Sequence, residues 1–398
     1  MQTVSMRAKR LGLVPPYLFS EIAKTKRELQ AAGKEIIDFG IGDPDQPTPQ
    51  PIVEALAKAA ADPSTHAYDE SHAGDLQLLE ATRDWYAERF GVDLDITNEM
   101  LVLIGSKEGL AHLNWALVDP GDLVLYPDPG YTVYKVNALF AGGEVFAMPL
   151  LRENHFLPDF DRIPADVAGR AKLMFINYPN NPPGAAATME FFETAIGFAK
   201  RNGIFICHDC AYSEVSFGGT KMPSILSVPG AKDVAMELHS LSKCFNMTGW
   251  RVAFAVGNAD GVGALRTMKN NVDSKQFAAV QRAGAAALRL PDDVMAPTFA
   301  LYGRRRKKLI DGLRSLGCDL EDSNATFYVW VPTPHGEKSI AFAKRLLEEA
   351  GVLAIPGIGY GEYGEGYVRF SVTVAGDKNG EKVDSALEQM RAAGISWS

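Results

Sequence analysis

From about residue 50 to 290 the chain keeps setting short, wholly apolar runs against longer stretches with helical spacing. The runs are Leu101-Val102-Leu103-Ile104, Leu123-Val124-Leu125-Tyr126, Leu173-Met174-Phe175-Ile176, Ile204-Phe205-Ile206-Cys207 and Val252-Ala253-Phe254-Ala255-Val256. A strand with one wet face alternates apolar and polar residues, so runs without alternation belong to strands covered on both faces. Helical patterns at 109–117, 190–201 and 261–269 supply the cover, which predicts an α/β domain with a largely parallel sheet over 49–290. The last hundred residues change rhythm. A helical pattern at 294–316, a strand-like run at 326–331, a helix at 340–350 and a strand at 367–372 predict a smaller α+β domain over 291–398. Residues 1–48 are then an N-terminal arm and part of that smaller domain.

Bulk properties narrow the function. The formal charge of -9 over 398 residues argues against a nucleic-acid or acidic-membrane partner. The one basic run, Arg304-Arg305-Arg306-Lys307-Lys308, precedes Leu309, Ile310 and Leu313 and reads as a solvated helix face. Four cysteines are too few for a disulfide scaffold. Cys207-His208-Asp209-Cys210 matches C-x-x-C, but Cys207 closes an apolar run, so a buried strand end is the better reading. No stretch has membrane-spanning length, and residues 1–10 carry no secretory signal, so the expected location is cytoplasmic.

Chemistry concentrates in Ser240-Leu241-Ser242-Lys243-Cys244-Phe245, followed by Met247-Thr248-Gly249-Trp250-Arg251. A lysine between apolar neighbours is partly desolvated, which favours the nucleophilic amine over the ammonium. Ser240 and Arg251 are donors suited to a phosphate dianion. A nucleophilic amine beside a phosphate cradle points to a Schiff base with a phosphorylated aldehyde, namely pyridoxal phosphate. A surface lysine on a strand–turn is the competing reading of the motif alone.

Other candidates fall at strand ends, where open parallel sheets bind ligands. Asp209, after the 204–207 run, can keep a pyridine nitrogen protonated, and Tyr212 can approach the ring's 3-oxygen; a turn cap is the alternative for Asp209. Gly105-Ser106-Lys107-Glu108-Gly109 opens a helix whose free amides suit a phosphate, without the spacing of a Walker A loop. Tyr131, in Pro129-Gly130-Tyr131, can stack on a flat cofactor or serve as a core aromatic. Tyr131 to Lys135 also reads Y-x-x-x-K, but no glycine-rich dinucleotide fingerprint accompanies it. Arg369 interrupts an apolar strand and must face a carboxylate, either a substrate's or a structural partner's.

Together these motifs resemble the class I/II aminotransferases of the fold-type I pyridoxal-phosphate superfamily. The likeness rests on Asn180-Asn181-Pro182-Pro183-Gly184, His208-Asp209-Cys210-Ala211-Tyr212, Ser240-Leu241-Ser242-Lys243 and Met247-Thr248-Gly249-Trp250-Arg251, and it runs over essentially the whole chain. It implies that Lys243 bonds the cofactor aldehyde and shuttles the substrate α-proton, with Asp209 at the pyridinium and Tyr212 and Asn181 at the 3-oxygen. Tyr131 would stack on the ring, Ser106, Lys107, Ser240 and Arg251 would surround the phosphate, and Ser242 would also contact the cofactor. Arg369 would take the α-carboxylate with help from the Gly42 backbone. Tyr68 would reach the phosphate across a homodimer interface.

Within the superfamily the chain is most similar to the LL-diaminopimelate aminotransferases. Pro15-Pro16-Tyr17-Leu18-Phe19, Gly42-Asp43-Pro44-Asp45 and Asn271-Val272-Asp273-Ser274 carry that likeness. It implies that Tyr17 and a neighbouring subunit's Asn271 recognise substrate, in a reaction between LL-diaminopimelate and 2-oxoglutarate in lysine biosynthesis. Pro183, Lys275 and the loop at 68–74 depart from the pattern, which bears on the substrate and not on the cofactor. The same residues also suit an alanine or other amino-acid aminotransferase, a C–S β-lyase, or a non-catalytic protein of the same fold.

Overall fold

The computed structural model describes residues 6–14, 19–68 and 73–398. Among these residues twelve strands form three sheets. β1 (Ile37–Asp38) pairs in parallel with β10 (Val352–Leu353), bringing the N-terminal part of the chain against its C-terminal part. The main sheet holds β2 (Met100–Leu103), β3 (Leu123–Asp128), β4 (Glu144–Pro149), β5 (Ala171–Asn177), β6 (Phe205–Asp209), β7 (Ala235–Ser240) and β8 (Ala253–Gly257). Their order across the sheet is β2-β8-β7-β6-β5-β3-β4. β8 alone runs opposite to the other six strands. A third, antiparallel sheet joins β11 (Ile355–Pro356), β12 (Tyr367–Ser371) and β9 (Tyr328–Pro332).

The apolar runs form strands covered on both faces: every residue of β2, β3, β7 and β8 is buried, although β2 ends the sheet. β4 is absent from the sequence expectations. It is one of the two sheet edges, its first residue Glu144 is exposed, and it ends on a proline. The helix expected from residue 109 starts at Ser106, because Gly105 (φ 82°) makes the turn and the Glu108 carboxylate accepts the Ile104 amide at 2.8 Å.

The basic run is a solvated face only in part: Arg304 and Lys307 are exposed, but Arg305 and Arg306 are buried. It lies in the helix Ala296–Ser315, whose period turns Arg305 and Arg306 inward with Leu309, Ile310 and Leu313. Arg305 grips Asp45 through two bonds of 2.9 and 3.0 Å and also reaches the Val372 carbonyl, while Arg306 pairs with Asp322. Arginine stems pack well against apolar residues when their heads find anions, so composition alone misplaces them. Cys207 and Cys210 are buried and unbridged, as a strand end requires.

A buried pair fastens three strand ends from below. Glu237 on β7 is fully buried and accepts His208 Nδ1 (2.7 Å), Ser224 Oγ (2.6 Å), Tyr86 Oη (2.8 Å) and the Ile225 amide (3.0 Å). Burial works to raise this carboxyl, but the His208 bond and the nearby His239 ring, 3.6 Å away, outweigh it and hold the group well below the usual carboxylate range. His208 Nε2 lies 2.9 Å from the Tyr178 carbonyl, linking β6 to the turn that follows β5. At the other edge, buried Asp128 accepts the Glu362 and Tyr363 amides at 3.1 and 3.0 Å, joining the end of β3 to the loop before β12. No helix among the described residues is long and apolar enough to cross a membrane.

Removing one partner of a buried, hydrogen-bonded pair leaves the other unpaired. Glu237→Leu is therefore expected to lower unfolding free energy by about 3–5 kcal/mol, read from the shift of the urea midpoint. Glu144→Gln, in the exposed pair with Arg170, is expected to cost under about 1 kcal/mol. Equal effects would show that the buried pair has no special weight.

Candidate active site

β5, β6 and β7 lie side by side and parallel, so their carboxyl ends open on one crevice. β5 ends at Asn177, opposite Asp209, the last residue of β6 and not one beyond it. Asn177 ties the ends together: its Nδ2 donates to the Asp209 carbonyl (2.7 Å), and its Oδ1 accepts the Asn181 amide (2.8 Å). β7 ends at Ser240, which caps the helical turn Leu241–Cys244 and so places Lys243. These residues line a cavity of about 370 Å³, together with Gly42, Tyr131, Tyr212, Arg251 and Arg369.

Asp209 is buried, and only one of its oxygens is satisfied. Oδ2 accepts Tyr134 Oη at 2.7 Å, whereas Oδ1 has no partner. Burial pushes this carboxyl up to about 6, against the opposing pull of the Tyr134 bond and of the His208 and His239 charges. A carboxylate left that way gains from a cationic N–H on its open side. Tyr134 stacks on Phe175 (centroids 5.0 Å apart) and meets Tyr131 edge-on at 5.9 Å.

Lys243 Nζ donates to the Gly42 carbonyl at 2.8 Å and lies 3.9 Å from Asp43. The helix Ser106–Leu117 points its N-terminus at the same cavity, so the amides of Ser106 and Lys107 and the positive end of the helix dipole face it. Ser240, Ser242, Thr248 and Arg251 complete that side. Ser242 Oγ is buried and without a partner. Arg251 adopts a left-handed conformation (φ 57°), and its guanidinium packs so closely on Gly105 that a side chain there would collide with it. These donors can hold a phosphate dianion.

On the opposite wall Arg369 is buried. Its Nη1 donates to Asn181 Oδ1 and its Nη2 to the Gly40 carbonyl, both at 2.9 Å. Among the described residues no carboxylate pairs with it, and its Nε is unsatisfied. The ring faces of Tyr328 and Tyr360 lie 4.2 and 5.0 Å from the guanidinium carbon. Tyr212 Oη meets Tyr328 Oη at 3.0 Å.

Three expected residues stand elsewhere. Tyr68 is 89% exposed and Asn271 is exposed with its amide on the Thr267 carbonyl; neither lines the cavity of its own chain. Tyr17 and most of the 68–74 loop lie outside the described residues. Conversely, Asn177, Thr248, Tyr134 and Tyr328 were not read from the sequence. Tyr134 follows Tyr131 by three residues at the start of the helix Val133–Ala141, and Tyr328 shares a strand face with Trp330; those spacings were the available signals.

Known proteins agree with this arrangement. The family model for aminotransferase class I and II matches residues 34–388. The chain is 53% identical over 386 residues to the LL-diaminopimelate aminotransferase of Syntrophobacter fumaroxidans, covering 97% of this chain and 98% of that one. It is 51% identical over 365 residues to the enzyme of the same name from Aquifex aeolicus, covering 92% and 94%. Among solved structures, substrate-bound BacF from Bacillus subtilis superimposes with a TM-score of 0.92 at 35% identity, covering 99% of both chains. A probable N-succinyldiaminopimelate aminotransferase from Thermus thermophilus gives 0.88 at 37% identity, covering 94% and 99%.

The family works with pyridoxal phosphate, and the residues present fit that group. The open oxygen of Asp209 suits a pyridinium N–H, and the unpartnered Ser242 hydroxyl and the helix N-terminus suit its phosphate. Lys243 opens on the same cavity. When bound, the cofactor supplies an electron-poor ring that stabilises negative charge at a substrate α-carbon. With a fold, a cavity and relatives that all agree, the chain belongs to the class I and II aminotransferases.

Proposed function

We propose that this aminotransferase exchanges amino groups between LL-diaminopimelate and 2-oxoglutarate in lysine biosynthesis, working as a homodimer with shared sites. The substrate reading is supported by the curated relatives at about half identity over nearly the full length, which carry that name. The chemistry rests on one observation: the unsatisfied oxygen of buried Asp209, Lys243 and Arg369 all border the same cavity. The dimer is supported by the exposed Tyr68, Val272 and Phe277. Residues 49–290 are read as the cofactor-holding domain and 291–398, with part of 1–48, as the smaller one.

In this reading Asp209 keeps the ring nitrogen protonated, and Tyr212 and Asn181 hold the 3-oxygen. Ser106, Lys107, Ser240, Ser242 and Arg251 hold the phosphate, aided by Tyr68 of the partner subunit. Tyr131 stacks on the ring. Arg369 binds the α-carboxylate with the Gly42 backbone, which fixes the α-C–H toward Lys243. Lys243 Nζ then takes that proton and returns it on the other side of the exchange. Tyr17 and the partner subunit's Asn271 contact the distal end of the substrate.

A panel of amino donors with 2-oxoglutarate tests the substrate. Glutamate formation is expected to be fastest with LL-diaminopimelate; preference for alanine or an aromatic acid would overturn the assignment. Lys243→Ala is expected to bind cofactor and unfold cooperatively, yet to lose turnover by at least about a hundredfold. Substantial turnover in that variant would remove the lysine from the proton transfer. Arg369→Ala is expected to raise KM for every amino acid by a similar factor, on the order of 10- to 100-fold. A loss confined to one substrate would instead assign it to the distal pocket.

Tyr134 donates to the carboxylate form of Asp209, so its removal favours the protonated form. Tyr134→Phe should move the acid limb of the kcat/KM profile upward by roughly one pH unit. Activity at pH 6 would then fall more than activity at pH 8. An unchanged profile would show that Tyr134 does not support that charge.

A further inference from the structure

We propose that Tyr328 is a positioning residue with two separable tasks: its ring holds the carboxylate-binding arginine without an internal anion, and its hydroxyl orients that of Tyr212. The inference rests on the proposed placement of substrate carboxylate at Arg369 and of the cofactor's 3-oxygen at Tyr212.

The strand geometry generates the first task. Arg369 on β12 pairs directly with Trp330 on β9, so Tyr328, two residues earlier on β9, is its diagonal neighbour on the same sheet face. Its ring therefore lies under the guanidinium at 4.2 Å, while Tyr360 approaches at 5.0 Å. A buried guanidinium normally requires a carboxylate partner. Here the described residues offer only the Asn181 and Gly40 oxygens and two aromatic faces. Aromatic faces stabilise a desolvated cation without occupying its in-plane donors. An internal aspartate would occupy that fork and have to be displaced by each substrate. The tyrosines leave it open.

The second task follows from the hydroxyl. Tyr328 is buried, and its Oη has two neighbours: Tyr212 Oη at 3.0 Å and the Gly42 carbonyl at 3.5 Å. A residue larger than glycine at position 42 would strike that hydroxyl, so the approach is built into the loop. A tyrosine hydroxyl has one proton and can also accept. If Tyr212 gives its proton to the 3-oxygen, it must accept one from Tyr328, which polarises the Tyr212 O–H and strengthens its donation. Loss of the Tyr328 hydroxyl then weakens stabilisation of the deprotonated chromophore.

The experiment uses holoenzyme in the aldehyde form, with two variants and two readouts. The first readout is the pH midpoint of the bound cofactor's visible absorbance. The second is the Kd for 2-oxoglutarate, which has no amino group to exchange, from the absorbance change it causes. Tyr328→Phe is expected to raise the midpoint by about half to one unit and to leave Kd within about twofold. Tyr328→Leu is expected to raise the midpoint similarly and also to weaken 2-oxoglutarate binding by about 10- to 30-fold. An unmoved midpoint in Tyr328→Phe overturns the hydroxyl task, even should the leucine variant fail to hold cofactor. A folded Tyr328→Leu with wild-type Kd overturns the ring task. Absence of both a titrating chromophore and 2-oxoglutarate binding in the wild type would instead overturn the underlying site reading, and this inference with it.

Discussion

The registration of three parallel strands is the constraint on which the site depends. β5, β6 and β7 are paired so that Asn177 stands opposite Asp209, while Ser240 ends the next strand along. A slip of one residue in β6 would turn Asp209 to the other face, because side chains alternate. His208 and Glu237 oppose such a slip: they are direct partners across β6 and β7, and their side chains meet on the face away from the cavity. The same imidazole reaches the Tyr178 backbone, where the turn carrying Asn181 begins. One buried pair thus sets the relative height of the groups that line the cavity.

Much of this was legible in the residues. Central strands announce themselves as unbroken apolar runs, and a chemically odd residue at the end of such a run, as with Asp209, is a site candidate on topology alone. The edge strand Glu144–Pro149 carries no such signal, since half its surface is wet. Inward-facing Arg305 and Arg306 were hidden because their partners, Asp45 and Asp322, are remote or unremarkable in sequence. Long-range pairing of charges has no local signature.

The same limit explains the missing site residues. Tyr134 and Tyr328 look like ordinary core aromatics until the fold brings a carboxylate to one and a guanidinium to the other. Nothing near Tyr328 in sequence points to Arg369, which lies across an antiparallel pairing. Asn177 was concealed differently: its side chain bonds backbone atoms, so its role lies in shape rather than in chemistry. Local motifs report the atoms that react; they say little about what holds those atoms still.

The open guanidinium of Arg369 has a practical corollary. A buried cation with no fixed counter-charge among the described residues attracts small carboxylates of any origin, so acetate, formate or citrate in a buffer will be drawn to it. On the proposed role of Arg369 as the carboxylate clamp, selectivity among amino acids would have to come from contacts at the far end of the ligand.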